Sequence, residues 1–212
     1  DVVSRIIIQV NLATKQGKLD VNLTLEDALI PILKEVYQLP KLINLNAKQK
    51  NFPGIDLGDE YDRIAFQVTS TTNIEKDKKS LRIFLEQGFE SNFDELYLLI
   101  LTEKQKSYSQ SAIDKITSNK FNFSVKSHII DLSDLLATIT SMRLTAQKRM
   151  LHEFKLILGD IDGYMQFTTL DQPEQKLLTT NLAEITFPDE IYVSEVAIDF
   201  KDTLERAKAE LG

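Results

Sequence analysis

The sequence predicts a mixed α/β fold, a central sheet flanked by helices. Three observations predict it. Ile64, Phe66 and Val68 alternate with Ala65, Gln67 and Thr69, the period of a half-buried strand. Glu95–Leu101 is a nearly continuous apolar run, typical of a strand buried on both faces. Between and after these lie amphipathic stretches with helix-start and helix-stop residues, so strand, strand, helix, strand, helix, strand, helix follow one another.

The elements can be taken in order. Residues 1–12, with Val2, Val3, Ile6, Ile7, Ile8 and Val10, are dense in β-branched side chains, which favours a strand and leaves a helix open. Thr24 suits an N-cap, with Asp27 three residues on, for a helix to about Gln38; its apolar stripe is Leu25, Leu29, Ile32, Leu33 and Val36. Pro31 is expected to kink it, and Pro40 lies just past its end.

Two short strands come next, 55–58 and 64–70, joined by the polar turn Asp59–Asp62. Ile55 and Leu57 are expected to share one face, leaving Asp56 and Gly58 on the other. Asn73 begins a helix to about Gln87 that stops at Gly88. Ile74, Leu81, Phe84 and Leu85 form its buried side, with lysines opposite. Residues 109–118 read as a short helix and 128–132 as a strand. Ser133 is expected to cap a long helix, interrupted near Ser141 and ending at Gly159. Residues 1–159 then make one domain, 160–188 an aperiodic linker, and 189–212 the start of an incomplete C-terminal module. A chain that opens on Asp1 is expected to lack its original start.

Composition narrows the chemistry. No cysteine is present among the 212 residues, which removes disulfides, thiolate zinc sites and cysteine nucleophiles. The two histidines, His128 and His152, lie far apart, so neither a Ser-His-Asp triad nor a histidine-rich metal site is supported, and structural roles are expected for both. No glycine-rich phosphate loop is present, and Gly54 and Gly58 fit tight strand entry instead. No apolar run approaches the ~18–20 residues of a membrane span. The net charge of −7 argues against whole-surface binding to nucleic acid but leaves room for a local basic groove. Lys76, Lys78, Lys79 and Arg82 are one such cluster; solvated helix faces are the plainer role for it.

The chemistry concentrates at Asp56, Gln67 and Thr69, a carboxylate, an amide and a hydroxyl expected on the same side of the sheet. Phosphodiester hydrolysis uses a metal to activate water and to neutralise charge on phosphate. Mg²⁺ prefers oxygen ligands and keeps several waters, so one or two carboxylates and a carbonyl suffice. Asp56 supplies the anionic ligand, Gln67 its amide oxygen and Val68 its backbone carbonyl. Glu26, bordering the helix's apolar stripe, is the second carboxylate, while Asp27 is left to capping.

The residues around Glu26, with Asn44–Asn46, Asn51–Gly58, Ala65–Ser70 and Leu98–Ser107, resemble the SMEK domain family of bacterial proteins over about residues 1–158. That family in turn resembles the PD-(D/E)XK restriction-endonuclease-like superfamily, whose members cut DNA with Mg²⁺. The resemblance implies a restriction-endonuclease-like sheet and a cytoplasmic, Mg²⁺- or Mn²⁺-dependent endodeoxyribonuclease. It implies a bacterial defence protein in which this domain is the effector, acting with further domains or a defence partner. A homo-oligomer is compatible, since many nucleases of this class cut both strands as dimers.

By position, Pro53 and Asp56 stand for the "PD" and Gln67 takes the acidic place. Thr69 stands where the catalytic lysine is expected. Either Lys76, Lys78 or Lys79 swings in from the following helix, with Lys79 the first choice, or the domain is catalytically silent and binds a partner protein or nucleic acid. Lys76, Lys78 and Arg82 are the expected nucleic-acid contacts. Geometry separates the readings. Convergence of Asp56, Gln67, Glu26 and a lysine within about 4–6 Å of one metal-sized position favours catalysis. An Asp56 bonded into backbone with every lysine turned away favours the adaptor.

Overall fold

A computed structural model of the chain describes residues 2–18, 21–49, 52–118 and 120–167. Seven helices and five strands make up this part: α1 Val2–Lys15, α2 Val21–Ala28, α3 Ile30–Tyr37, β1 Ile43–Asn44, β2 Leu57–Asp59, β3 Ile64–Thr69, α4 Ile74–Glu86, β4 Glu95–Ile100, α5 Gln110–Thr117, β5 Ile129–Asp131, α6 Leu132–Thr140 and α7 Leu144–Phe167. The five strands form one sheet in the order β1-β2-β3-β4-β5. β1, β2 and β3 pair antiparallel, whereas β3–β4 and β4–β5 are parallel. Each parallel pair needs a crossover, supplied by α4 and α5. This is a mixed sheet flanked by helices, consistent with a restriction-endonuclease-like arrangement.

The two faces of the sheet bury different sets. On one, Ala65, Leu96, Leu98, Ile100 and Ile129 pack with Leu81 and Phe84 of α4 and Ile113 of α5. On the other, Phe66 stacks on Tyr97 with ring centroids 5.2 Å apart, and Tyr37 of α3 meets Phe66 edge-on at 5.3 Å. α2 also packs against β3, and α1 against α6.

The stretch expected as a strand over 1–12 is, from Val2 on, the start of a helix. Val3, Ile6, Ile7, Val10 and Ala13 are buried and fall at spacings of three and four, so one stripe faces the core while Ile8 and Leu12 stay exposed. Burial of that stripe outweighs the small helix penalty of β-branched residues. The helix expected from Thr24 to Gln38 starts earlier, at Val21, and breaks at Leu29 into α2 and α3. Thr24 therefore lies inside α2 and caps nothing. Pro31, with no N–H to donate, sits in the first turn of α3, where none is needed.

Asn73 caps α4 as expected, its side chain accepting from Glu75 N–H at 2.9 Å. The cap of α6 is Asp131, not Ser133. Asp131 accepts from the N–H groups of Ser133 and Asp134, and Asp134 returns a bond to the Asp131 N–H. The break near Ser141 is present between α6 and α7. α7 runs through Gly159 to Phe167, so the stretch expected to begin a linker at Asp160 begins as helix. Residues 1–162 group as one compact unit and 163–212 as a second. The rest of the expected linker and the C-terminal module lie outside the described residues. No described helix is long and apolar enough to cross a membrane.

Candidate active site

The site gathers where β2 parts from β3. Asp56 N–H still donates to the Phe66 carbonyl at 2.9 Å, but the strand proper starts only at Leu57. Beyond that point β3 has a Val68 N–H with no backbone partner on this side. The Asp56 carboxylate takes it, Oδ2 accepting from Val68 N–H at 2.7 Å and from Gln67 Nε2. The chain bends at Asp56 to make this contact, and alternation fails there. Ile55 packs in the α4 cluster with Ala65, whereas Leu57 pairs with Phe66, whose ring lies on the opposite face. Ile55 and Leu57 do not share a face, contrary to the sequence expectation.

Gly54, just before, has φ +75, and a Cβ there would meet Ile83 Cγ2 of α4 at 2.8 Å. Only glycine allows that approach, which seats α4 against the strand entry.

Asn46 links the two carboxylates. Its Nδ2 lies 3.1 Å from Glu26 Oε2 and 3.4 Å from Asp56 Oδ1, while its Oδ1 accepts from Phe52 N–H at 2.8 Å. Glu26 and Asp56 are only 4% and 9% exposed, so both carboxyls are withdrawn from water beside each other. Burial, then the charge of Asp56, pushes the Glu26 carboxyl up to about 8; the Asn46 bond opposes this. Burial raises Asp56 to about 6, opposed by the Val68 N–H, Asn46, the Lys76 ammonium and Gln67. Asn46 had no assigned role in the sequence reading beyond its place in the Asn44–Asn46 stretch. The pair of asparagines, Asn44 and Asn46, after a helix that carries a candidate carboxylate was the available signal. Asn44 also holds Asp27, donating from Nδ2 at 2.7 Å and tying α2 to β1.

A lysine of α4 reaches Thr69. Lys76 Nζ donates to Thr69 Oγ1 at 3.0 Å and reaches Thr71 Oγ1 at 3.4 Å. Thr69 is 2% exposed and accepts in addition from Thr71 N–H at 3.1 Å. The ammonium that belongs to this group is thus Lys76, in the first turn of α4; Lys79, the first choice from sequence, is exposed further along the helix. Lys78 pairs with Glu75 at 2.5 Å, and Arg82 is exposed.

Two details differ from the ligand set expected. Gln67 presents Nε2, not its oxygen, to Asp56; to offer Oε1 the amide must turn over. Val68 contributes its N–H to Asp56, and its carbonyl accepts from Gln67 Nε2 at 3.3 Å. Among the described residues no three His, Cys, Asp or Glu side chains gather to hold a metal ion. The oxygen donors gathered here are two carboxylates and the Val68 carbonyl, while Asn46 and Gln67 both present their NH₂ groups to the carboxylates. The Asn46 NH₂ group between Glu26 and Asp56 shows that both carboxylates can address one point, and a cation there would relieve the burial and repulsion that raise them.

His128 has the structural role expected: its Nδ1 accepts from Ser124 N–H at 3.0 Å, and its ring packs on Tyr97 and Phe123.

Fold and site together define a mixed α/β domain with a buried carboxylate pair and a lysine at the carboxyl end of a central strand. The SMEK domain model matches residues 1–140, and the chain belongs to the SMEK domain family. No curated protein and no solved structure matches it.

Proposed function

We propose that this domain is a metal-dependent nuclease of the PD-(D/E)XK type that hydrolyses DNA phosphodiester bonds with Mg²⁺ or Mn²⁺. The observation that carries the proposal is the convergence of Glu26 and Asp56 on the Asn46 amide, with the Lys76 ammonium delivered to Thr69, the strand position where the superfamily's lysine is expected.

In this reading Asp56, Glu26 and the Val68 carbonyl hold the cation, and Gln67 joins them after its amide turns. The bound cation supplies an activated water and neutralises charge on the phosphate. Lys76 holds a positive charge within reach of a phosphate oxygen, where charge grows as the bond breaks. Thr69 fixes that ammonium through its hydroxyl. The net charge of −7 then confines substrate binding to the basic face of α4. By family resemblance, the domain is the effector of a larger bacterial defence protein.

One observation favours a silent binding module instead. Asp56 Oδ2 is already taken by a backbone N–H and an amide, half of the geometry that marks an adaptor. The other half, lysines turned away, is not met, because Lys76 faces the site.

The test is plasmid DNA with Mg²⁺ or Mn²⁺, comparing wild type with D56N and K76A. Nicking or linearisation by wild type and its loss in both variants is the expected result. No cleavage, together with no Mn²⁺ binding by calorimetry, overturns the nuclease reading in favour of the adaptor.

A further inference from the structure

Lys76 is an exposed lysine held by two hydroxyls: its Nζ donates to Thr69 Oγ1 at 3.0 Å and reaches Thr71 Oγ1 at 3.4 Å. Its ammonium is therefore only as well fixed as the turn, residues 70–73, that joins β3 to α4. Thr69 ends β3 and Asn73 caps α4. Between them the backbone has left the sheet ladder and not yet entered the helix, so other groups must hold it.

The segment after β4 does so, one bond after another. Leu101 N–H donates to the Thr69 carbonyl at 2.8 Å, Thr102 Oγ1 to the Ser70 carbonyl at 3.3 Å, and Gln105 Nε2 to the Thr72 carbonyl at 2.6 Å. The first extends the β3–β4 ladder and the second is buried. The third is made by an exposed side chain, and it falls on the residue next to Thr71. Gln105 has a firm base for it. Lys104 N–H donates to Asp131 Oδ2 at 3.0 Å and Lys104 Nζ to Asp134 Oδ2 at 2.6 Å, which ties the segment to the cap of α6. Gln105 N–H donates to the Tyr108 hydroxyl at 2.9 Å, and Tyr108 packs on the core cluster that includes Leu81 and Phe84 of α4.

We propose that Gln105 is the positioning residue of Lys76: its amide pins the Thr72 carbonyl, and so the turn whose hydroxyls hold the ammonium. The proposal rests on the nuclease reading for what Lys76 does once it is in place. Gln105 touches neither phosphate nor carboxylate and acts only through Thr72. One exposed bond adds little to the stability of the whole domain. A displacement of ~1 Å in a charged group, by contrast, can cost ~100-fold in rate.

The experiment compares wild type, Q105A, Q105E and S107A in two measurements on the full chain: steady-state cleavage of plasmid DNA with Mg²⁺ or Mn²⁺, and amide hydrogen exchange by NMR. Glutamate keeps the shape of glutamine but has no donor for the Thr72 carbonyl when ionised. Ser107, exposed on the same segment, is the control. In Q105A and Q105E kcat is expected to fall ~10-fold or more with KM within about twofold, while S107A matches wild type. Thermal midpoints should stay within ~2 °C of wild type, which a merely structural role would not allow. Exchange should quicken severalfold at Thr71, Glu75 and Lys76, whose N–H groups bond to Thr69 Oγ1, Asn73 Oδ1 and the Asn73 carbonyl. If wild type cuts DNA and both Gln105 variants keep its kcat, the positioning role is overturned and the nuclease reading stands. A fall in kcat without faster exchange in the turn also overturns it. If wild type does not cut but exchange quickens in both variants, the brace stands and the nuclease reading falls. If wild type does not cut and exchange is unchanged, both fall.

Discussion

Glu26→Gln tests the buried carboxylate pair directly. The Glu26 carboxyl moves from an ordinary 4.5 to about 8 in the folded protein, through burial first and the Asp56 charge second. In the unfolded chain it returns to its ordinary value. Between about pH 4.5 and 8 the folded protein therefore keeps a proton that the unfolded chain has released. Stability contributed by this group is fully present below pH 4.5 and is lost as the pH rises toward 8. At 1.36 kcal/mol per unit the full difference corresponds to ~5 kcal/mol at pH 9. That is a ceiling, because water at the rim screens the charge and Asp56 shares the repulsion; ~2–3 kcal/mol is the working expectation.

Glutamine has the same shape, can still accept the Asn46 bond, and has no proton to lose. E26Q should match wild type at pH 4 and exceed it by ~2–3 kcal/mol at pH 9, a gain of ~5–10 °C in Tm for a domain of this size. Urea denaturation followed by circular dichroism in EDTA at pH 4, 7 and 9 measures it. A difference that does not change with pH would refute the argument that an ionised, buried Glu26 strains the metal-free site.

Four further changes probe the same neighbourhood. K76A should lower DNA cleavage ~100-fold with little change in Tm, whereas K79A should stay within about twofold of wild type; equal activity of K76A and wild type on plasmid DNA would remove Lys76 from the mechanism. N46A takes the shared donor from Glu26 and Asp56 and leaves the Phe52 N–H without its acceptor, so urea unfolding should show a loss of ~1–3 kcal/mol that grows as the carboxyls ionise. G54A places a Cβ 2.8 Å from Ile83 Cγ2 at φ +75 and should cost ~1–3 kcal/mol; a loss below ~0.5 kcal/mol would show that α4 can retreat freely.

The sequence by itself pointed to four of the five strands, missing the short β1, and to a set of candidate site residues. β3 and β4 were legible because their patterns are local: alternation in one, an unbroken apolar run in the other. α4 was legible because Asn73 and Gly88 mark its ends chemically. Glu26, Asp56 and Gln67 were found as a candidate cluster, although the strand argument behind it was only half right, since Asp56 reaches Val68 by leaving the alternation.

What tertiary structure decided was everything that depends on how elements pack. α1 is a helix because one stripe is covered by the rest of the fold, a fact its β-branched residues do not announce. The cap of α6 moved to Asp131 because the chain turns straight from β5 into the helix, and α7 passes Gly159 because nothing there requires the chain to turn. Asn46 became the bridge between carboxylates through the meeting of two segments twenty residues apart in the chain. The choice of Lys76 over Lys79 rests on the same cause. Helical periodicity places lysines around an axis, but the direction in which α4 leaves β3 decides which of them meets Thr69.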